Sequence, residues 1–270
     1  MTHVIRDIQR SFRQNELSDT PKKFAILTVA RTGSNYLCNA LNGHPEILCH
    51  GELFHQKQIY IYDRKNSDLD LGTIQERDRC PERFVERVWQ HNLGHSAVGF
   101  KLFPKHNEKV LKLLLKDKKI KKILLLRRNK IRSYVSLQIA CQTQEWDIRN
   151  SAMETPGKTQ KSTSVKINPK SFQDYVQKNN YFFDKLRRTL NASNQEFLEI
   201  TYEDLFGTES AILKSELLEF IDVSVNSKYL KADLKKQNPQ PLSELVSNFH
   251  ELESALRETE LEPYLYLPDF

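Results

Sequence analysis

Short apolar runs alternate with amphipathic stretches along most of this chain. Phe24 to Ala30 (FAILTVA) is continuously apolar and too short for a helix, which predicts a buried strand. Gly33 and Ser34 punctuate, and Asn35 to Leu41 then predicts a helix with Tyr36, Leu37, Ala40 and Leu41 on one side. His44-Pro45 ends it. Ile47 to Cys49 predicts a second strand, running into Gly51-Glu52-Leu53-Phe54, and residues 56 to 80 carry no apolar period, which predicts a loop-rich excursion. Glu82 to His91 reads as a helix, Ala97 to Phe103 as a third strand, and Asn107 to Leu115 as a helix. Ile123 to Leu126 gives a fourth strand and Ile131 to Gln142 another helix. Phe172 to Leu190 predicts a helix and Phe197 to Thr201 a fifth strand. Leu242, Leu245, Val246, Phe249, Leu252 and Leu256 keep helical spacing after Pro241, a residue suited to a first turn.

Strands alternating with helices mean parallel crossover units, so the fold class is α/β. A central parallel sheet of about four to five strands, flanked by helices, fits in one domain over residues 1–270. Residues 1–22 are polar and read as an N-terminal arm ended near Pro21. Residues 149–170 are rich in Ser, Thr, Lys and Pro, and a loop of that length reads either as an active-site lid or as a disordered segment.

Composition narrows the class of partner. Hydrophobic residues make up 39% of 270, enough for a sizeable core, and Lys+Arg over Asp+Glu is 41 − 35 = +6. That surplus favours anionic ligands without choosing among nucleic acid, membrane surface and a phosphorylated small molecule. Cys38, Cys49, Cys80 and Cys141 form no CxxC pair, which argues against a structural zinc site or a disulfide framework. The first fourteen residues carry charge where a signal peptide needs an apolar region, and no apolar run approaches the roughly 20 residues that span a bilayer. The expected setting is cytoplasmic, with no transmembrane segment.

The stretch from residue 24 to 36 carries the most chemistry. A buried strand delivers the chain to a tight Gly-containing turn that opens a helix, whose first amides have no intrahelical partners and sit at the positive end of its dipole. A phosphate or sulfate there meets several N–H donors at once, with Arg31 as a fork-shaped cation and Thr32 and Ser34 as hydroxyls. The turn is not a GxxxxGK[ST] loop, because Arg31 precedes the glycine and no lysine follows it. The fourth strand runs into Arg127-Arg128-Asn129, where a Mg²⁺-dependent phosphotransferase would commonly place an acid. Guanidiniums there favour direct anion binding without a metal, Arg128 with Ser136 clasping a terminal phosphate. An ATP-dependent phosphotransferase and a non-catalytic polyanion-binding module remain the alternatives. No aromatic-interleaved basic stretch supports nucleic acid as the partner.

Arg31-Thr32-Gly33-Ser34, together with Arg128 and a serine eight residues later at Ser136, resembles the sulfotransferases that use 3′-phosphoadenosine-5′-phosphosulfate (PAPS). The likeness is to bacterial carbohydrate sulfotransferases of the trehalose and nodulation-factor type, whose first loop carries R-[ST]-G-S. Gly51 to Phe54, Gly99 to Leu102, Gln142-Thr143 with Trp146, and Tyr202 to Leu205 follow in the same order. The chain departs from the familiar cytosolic enzymes in three places. Arg31 stands near their loop lysine, Phe103 stands two residues after Lys101 where they carry a catalytic histidine, and Asn129-Lys130 replaces their Asn-Pro.

The resemblance implies a P-loop-like fold and PAPS as cosubstrate with no metal. It also implies an acceptor hydroxyl on a carbohydrate, glycolipid or small alcohol. It places the donor's 5′ end on Arg31, Thr32, Gly33, Ser34 and Asn35, and its 3′-phosphate on Arg128 and Ser136. Position and charge, apart from the resemblance, suggest that a late basic patch of Lys235, Lys236, Gln237 and Asn238 closes over that phosphate, and Trp146 is expected to line the acceptor side. Glu52 is the implied base, with His55 and His106 as rivals, and Lys101 the cation at the bridging oxygen.

Overall fold

A computed structural model describes residues 20–62, 71–146, 163–207, 210–232 and 237–268. Five parallel strands form one sheet in the order β2-β3-β1-β4-β5: β1 Lys22–Thr28, β2 Ile47–His50, β3 Ala97–Leu102, β4 Ile120–Leu126 and β5 Phe197–Thr201. The connecting helices are α1 Ser34–Asn42, α2 Ile74–Arg79, α3 Pro81–Gln90, α4 Glu108–Lys116, α5 Lys130–Thr143 and α6 Pro169–Ala192. After β5 come α7 Tyr202–Phe206, α8 Ser210–Ile221, α9 Leu242–Leu245 and α10 Phe249–Leu256.

The sheet is apolar on both faces because successive side chains of each strand point opposite ways. In β1, Phe24 and Ile26 join Leu37 and Leu41 of α1 and Leu217, Leu218 and Ile221 of α8. Ala25 and Leu27 join Phe84, Val88 and Trp89 of α3, Val110 and Leu114 of α4, and Phe183 and Leu186 of α6. A third cluster packs Ile131, Val135 and Phe172 against Leu245, Leu252 and Leu256 near the C-terminus. Among the described residues no helix is long and apolar enough to cross a membrane.

Several elements differ from the sequence reading. β1 begins at Lys22, two residues before the apolar run, because ladder pairing with Ala97 and Val98 uses backbone groups and tolerates lysine side chains. Within the expected loop over 56 to 80, a capping box between Thr73 and Glu76 opens the short helix α2. The continuous helix expected after Pro241 is broken: Val246 is extended and bridges Val165. Asn248 bonds both backbone groups of Ile167, at 2.9 and 3.0 Å. Those contacts satisfy the buried backbone of residues 165–167, which a straight helix could not do. The expected arm and lid lie outside the described residues for 1–19 and 149–162, and Pro169 opens α6 after the cap Asn168, whose Oδ1 accepts from Ser171 N at 3.0 Å.

Gly33 joins β1 to α1 at φ +80, and a Cβ there would lie 2.5 Å from Tyr202 Cδ2. Conformation and close approach therefore both demand glycine. Gly33→Ala is expected to destabilise the protein by about 2 kcal/mol, read as a lowered urea midpoint at unchanged slope.

Candidate active site

All five strands are parallel, so their carboxyl ends share one edge, where open α/β sheets bind ligands. The segments leaving that edge line a cavity of about 660 Å³: Arg31, Gly33, Ser34 and Asn35 after β1, Glu52 after β2, Lys101 in β3, Arg127 after β4, and Tyr202 after β5. Its remaining walls include His55, Lys57, Tyr60, Phe103 and His106 near Glu52, and Ser136, Trp146 and Gln237 near Arg31.

The mouth of α1 has the character of an anion site. Gly33 supplies its N-cap in a left-handed conformation and, having no side chain, makes no side-chain cap hydrogen bond to the first turn. Thr32 contributes differently from its expected role. Its hydroxyl is buried, donates to Val29 O at 2.9 Å and lies 2.6 Å from Thr28 Oγ1, which fixes the loop rather than lining the cavity. Arg31 adopts φ 67, and its Nε donates to Ser136 Oγ at 2.9 Å. The guanidinium also reaches Trp146 O at 2.8 Å and the Gln237 side-chain oxygen. The first loop and the α5 serine, far apart in sequence, thus meet in one cleft.

Of the two arginines that follow β4, Arg127 is the one on the cavity wall. It is buried, lies 4.3 Å from the Tyr202 ring centroid, and donates to Arg31 O at 3.3 Å. Arg128 does not line the cavity: its side chain is 55% exposed and pairs with Asp204 at 2.9 Å. Strand parity explains the exchange. Arg127 continues the side of Ile123 and Leu125, which pack toward α1, whereas Arg128 continues the side of Leu124 and Leu126. Lys236 lies outside the described residues, and its neighbour Gln237 is on the cavity wall.

Beside the first turn of α1, Lys101 is 3% exposed, its ammonium 3.1 Å from Glu52 Oε1 and bonded to Asn35 Oδ1. Lys101 shares the α1 side of β3 because Phe100 and Leu102 take the opposite side. Arg77, buried at 2% exposure, holds the loop that carries Glu52 by donating to Leu53 O at 2.9 Å and His55 O at 2.8 Å. No sequence signal marked Arg77, because the helix that positions it was read as loop. The cavity therefore has a cationic floor of oriented donors and, within reach of it, one carboxylate paired with a buried lysine. That arrangement can hold a doubly anionic leaving group and take a proton from an incoming hydroxyl.

The fold is the sulfotransferase fold. The chain is similar to the sulfotransferase domain from the curacin biosynthetic pathway, with TM-score 0.50 and 18% identity over 93% of each chain. No protein-family model matches the chain. Its sequence is 27% identical to Nodulation protein H of Rhizobium meliloti over 237 residues, 86% of this chain and 90% of that protein. It is also 27% identical to Nodulation protein H of Rhizobium tropici over 236 residues, 86% of this chain and 88% of that protein. The chain thus has the α/β fold of a solved sulfotransferase domain and is related in sequence to Nodulation protein H along most of its length.

Proposed function

We propose that the enzyme moves the sulfuryl group of PAPS to a hydroxyl of a carbohydrate-type acceptor, with Glu52 as base. The observation that carries this reading is the single cavity joining the N-terminus of α1 and Arg31 to the Glu52–Lys101 pair. The amides of α1, Ser34 and Arg31 suit the 5′-phosphosulfate, and Arg127 and Ser136 suit the nucleotide's other phosphate. The relation to Nodulation protein H supports a carbohydrate-type acceptor.

In the transfer, the acceptor oxygen forms a bond to sulfur while the bond from sulfur to the 5′-phosphate oxygen breaks. The acceptor proton passes to Glu52, and adenosine 3′,5′-bisphosphate departs with the bonding pair. Lys101 and Arg31 are the cations assigned to the negative charge that grows on that leaving oxygen, and prearranged cations of this kind are usually the largest source of rate in group transfer. The side-chain cations serve this purpose without a metal.

Two measurements test the reading. Adenosine 3′,5′-bisphosphate is expected to raise the melting temperature in the presence of a chelator. Label from [³⁵S]PAPS is expected to appear on at least one member of a panel of mono- and oligosaccharides. Stabilisation by ATP with Mg²⁺, without response to the bisphosphate, would replace this function with phosphoryl transfer.

A further inference from the structure

His106 is a second polar group on the Glu52 wall, and its surroundings fix both its tautomer and its charge. The ring stacks on Phe103 with centroids 4.8 Å apart, and its Nδ1 accepts from the Phe103 backbone amide at 3.4 Å. An Nδ1 that accepts leaves the proton of a neutral imidazole on Nε2. Nε2 lies 3.5 Å from Glu52 Oε2, while Lys101 Nζ lies 3.1 Å from Oε1. The groups facing the ring are Glu52 and His55 from the loop after β2, Lys101 from β3 and Arg77 from α2. Burial pushes its pKa down to about 4; Glu52 pulls upward against that, and His55, Lys101 and Arg77 push further down. The ring is thus neutral at pH 7 and presents an N–H, not a lone pair, to the carboxylate.

We propose that His106 is a positioning residue for Glu52: a ring anchored by the Phe103 amide directs Nε2–H at one carboxylate oxygen while Lys101 holds the other. The inference rests on the reading of Glu52 as base. Two anchors restrict rotation of the carboxylate about its terminal torsion, which is otherwise broad, and each oxygen keeps a lone pair for the acceptor proton. The same tautomer removes His106 itself from the role of base, since its remaining lone pair already accepts from the backbone.

Histidine-¹⁵N NMR of the whole protein at pH 7 tests the tautomer without any acceptor. The His106 resonances, identified by their loss in His106→Gln, are expected to show a protonated Nε2 and a bare Nδ1. A protonated Nδ1, or an imidazolium, would overturn the proposal. With the acceptor found by the saccharide panel, His106→Ala is expected to lower kcat about tenfold at unchanged KM for PAPS. His106→Gln is expected to recover most of that loss, because its amide can donate in place of Nε2–H. Equal losses in the two variants would overturn the inference, as would a silent His106→Ala beside an inactive Glu52→Gln. An active Glu52→Gln would instead remove the underlying assignment of the base.

Discussion

Glu52→Gln is expected to lower kcat by roughly 10²- to 10⁴-fold, the range ordinarily supplied by a positioned general base. The glutamine keeps the shape of the side chain and loses its capacity to take a proton together with its negative charge. Affinity for adenosine 3′,5′-bisphosphate should stay the same or tighten. The sign follows from charge: the substitution removes a negative group 3.1 Å from Lys101, on the wall of a cavity proposed to take an anion. Turnover by stopped assay and nucleotide affinity by calorimetry separate the two effects. Near-normal turnover with the true acceptor would end the base assignment. Turnover and nucleotide affinity falling in parallel would show that the carboxylate organises the site and does no proton transfer.

Arg31→Ala is expected to weaken binding of adenosine 3′,5′-bisphosphate by about 10- to 100-fold. A hydrogen bond to a charged group is worth about 1.5–3 kcal/mol, and each 1.4 kcal/mol is tenfold in affinity. Arg31 is central because its guanidinium touches Ser136, Trp146 and Gln237 at once, so its removal unlinks the first loop from the α5 side of the cleft. Alanine retains a side chain at φ 67, so the backbone strain at this position is unchanged and the loss reports on the guanidinium. Arg127→Ala should follow Arg31→Ala in size, while Arg128→Ala should cost less, since Arg128 already lies outside the cavity against Asp204. A larger loss at Arg128 than at Arg127 would reverse the assignment read from the structure.

Much of the architecture was legible before any coordinates. Each of the five expected strands is a parallel strand of the sheet; the inner ones are buried on both faces, and such strands need continuous apolar sequence and advertise themselves. The turn from β1 to α1 was legible for a local reason as well: a glycine punctuates the chain between the apolar run and the helix, and Gly33 takes φ +80 there. The errors fell where long-range contacts outvote local pattern. Apolar spacing from Leu242 to Leu256 is helical, yet partners at Val165 and Ile167 pull Val246 and its neighbours out of the helix. A two-residue choice between Arg127 and Arg128 depended on strand parity at the point where the strand ends, and an eight-residue spacing to Ser136 could not express it.

By itself, then, the sequence determined the class of fold and the edge of the sheet at which the candidate site gathers. These follow from periodicity, backbone conformation and the rule that parallel strands end together. Tertiary structure alone decided which side chains share the cavity: Arg31 against Ser136, Lys101 between Asn35 and Glu52, and His106 behind the carboxylate. Those partners are separated by tens of residues along the chain, and only the crossover connections bring them within a few ångströms. Arg77 belongs to the same group, because a buried guanidinium reveals its purpose only through the two carbonyls it holds.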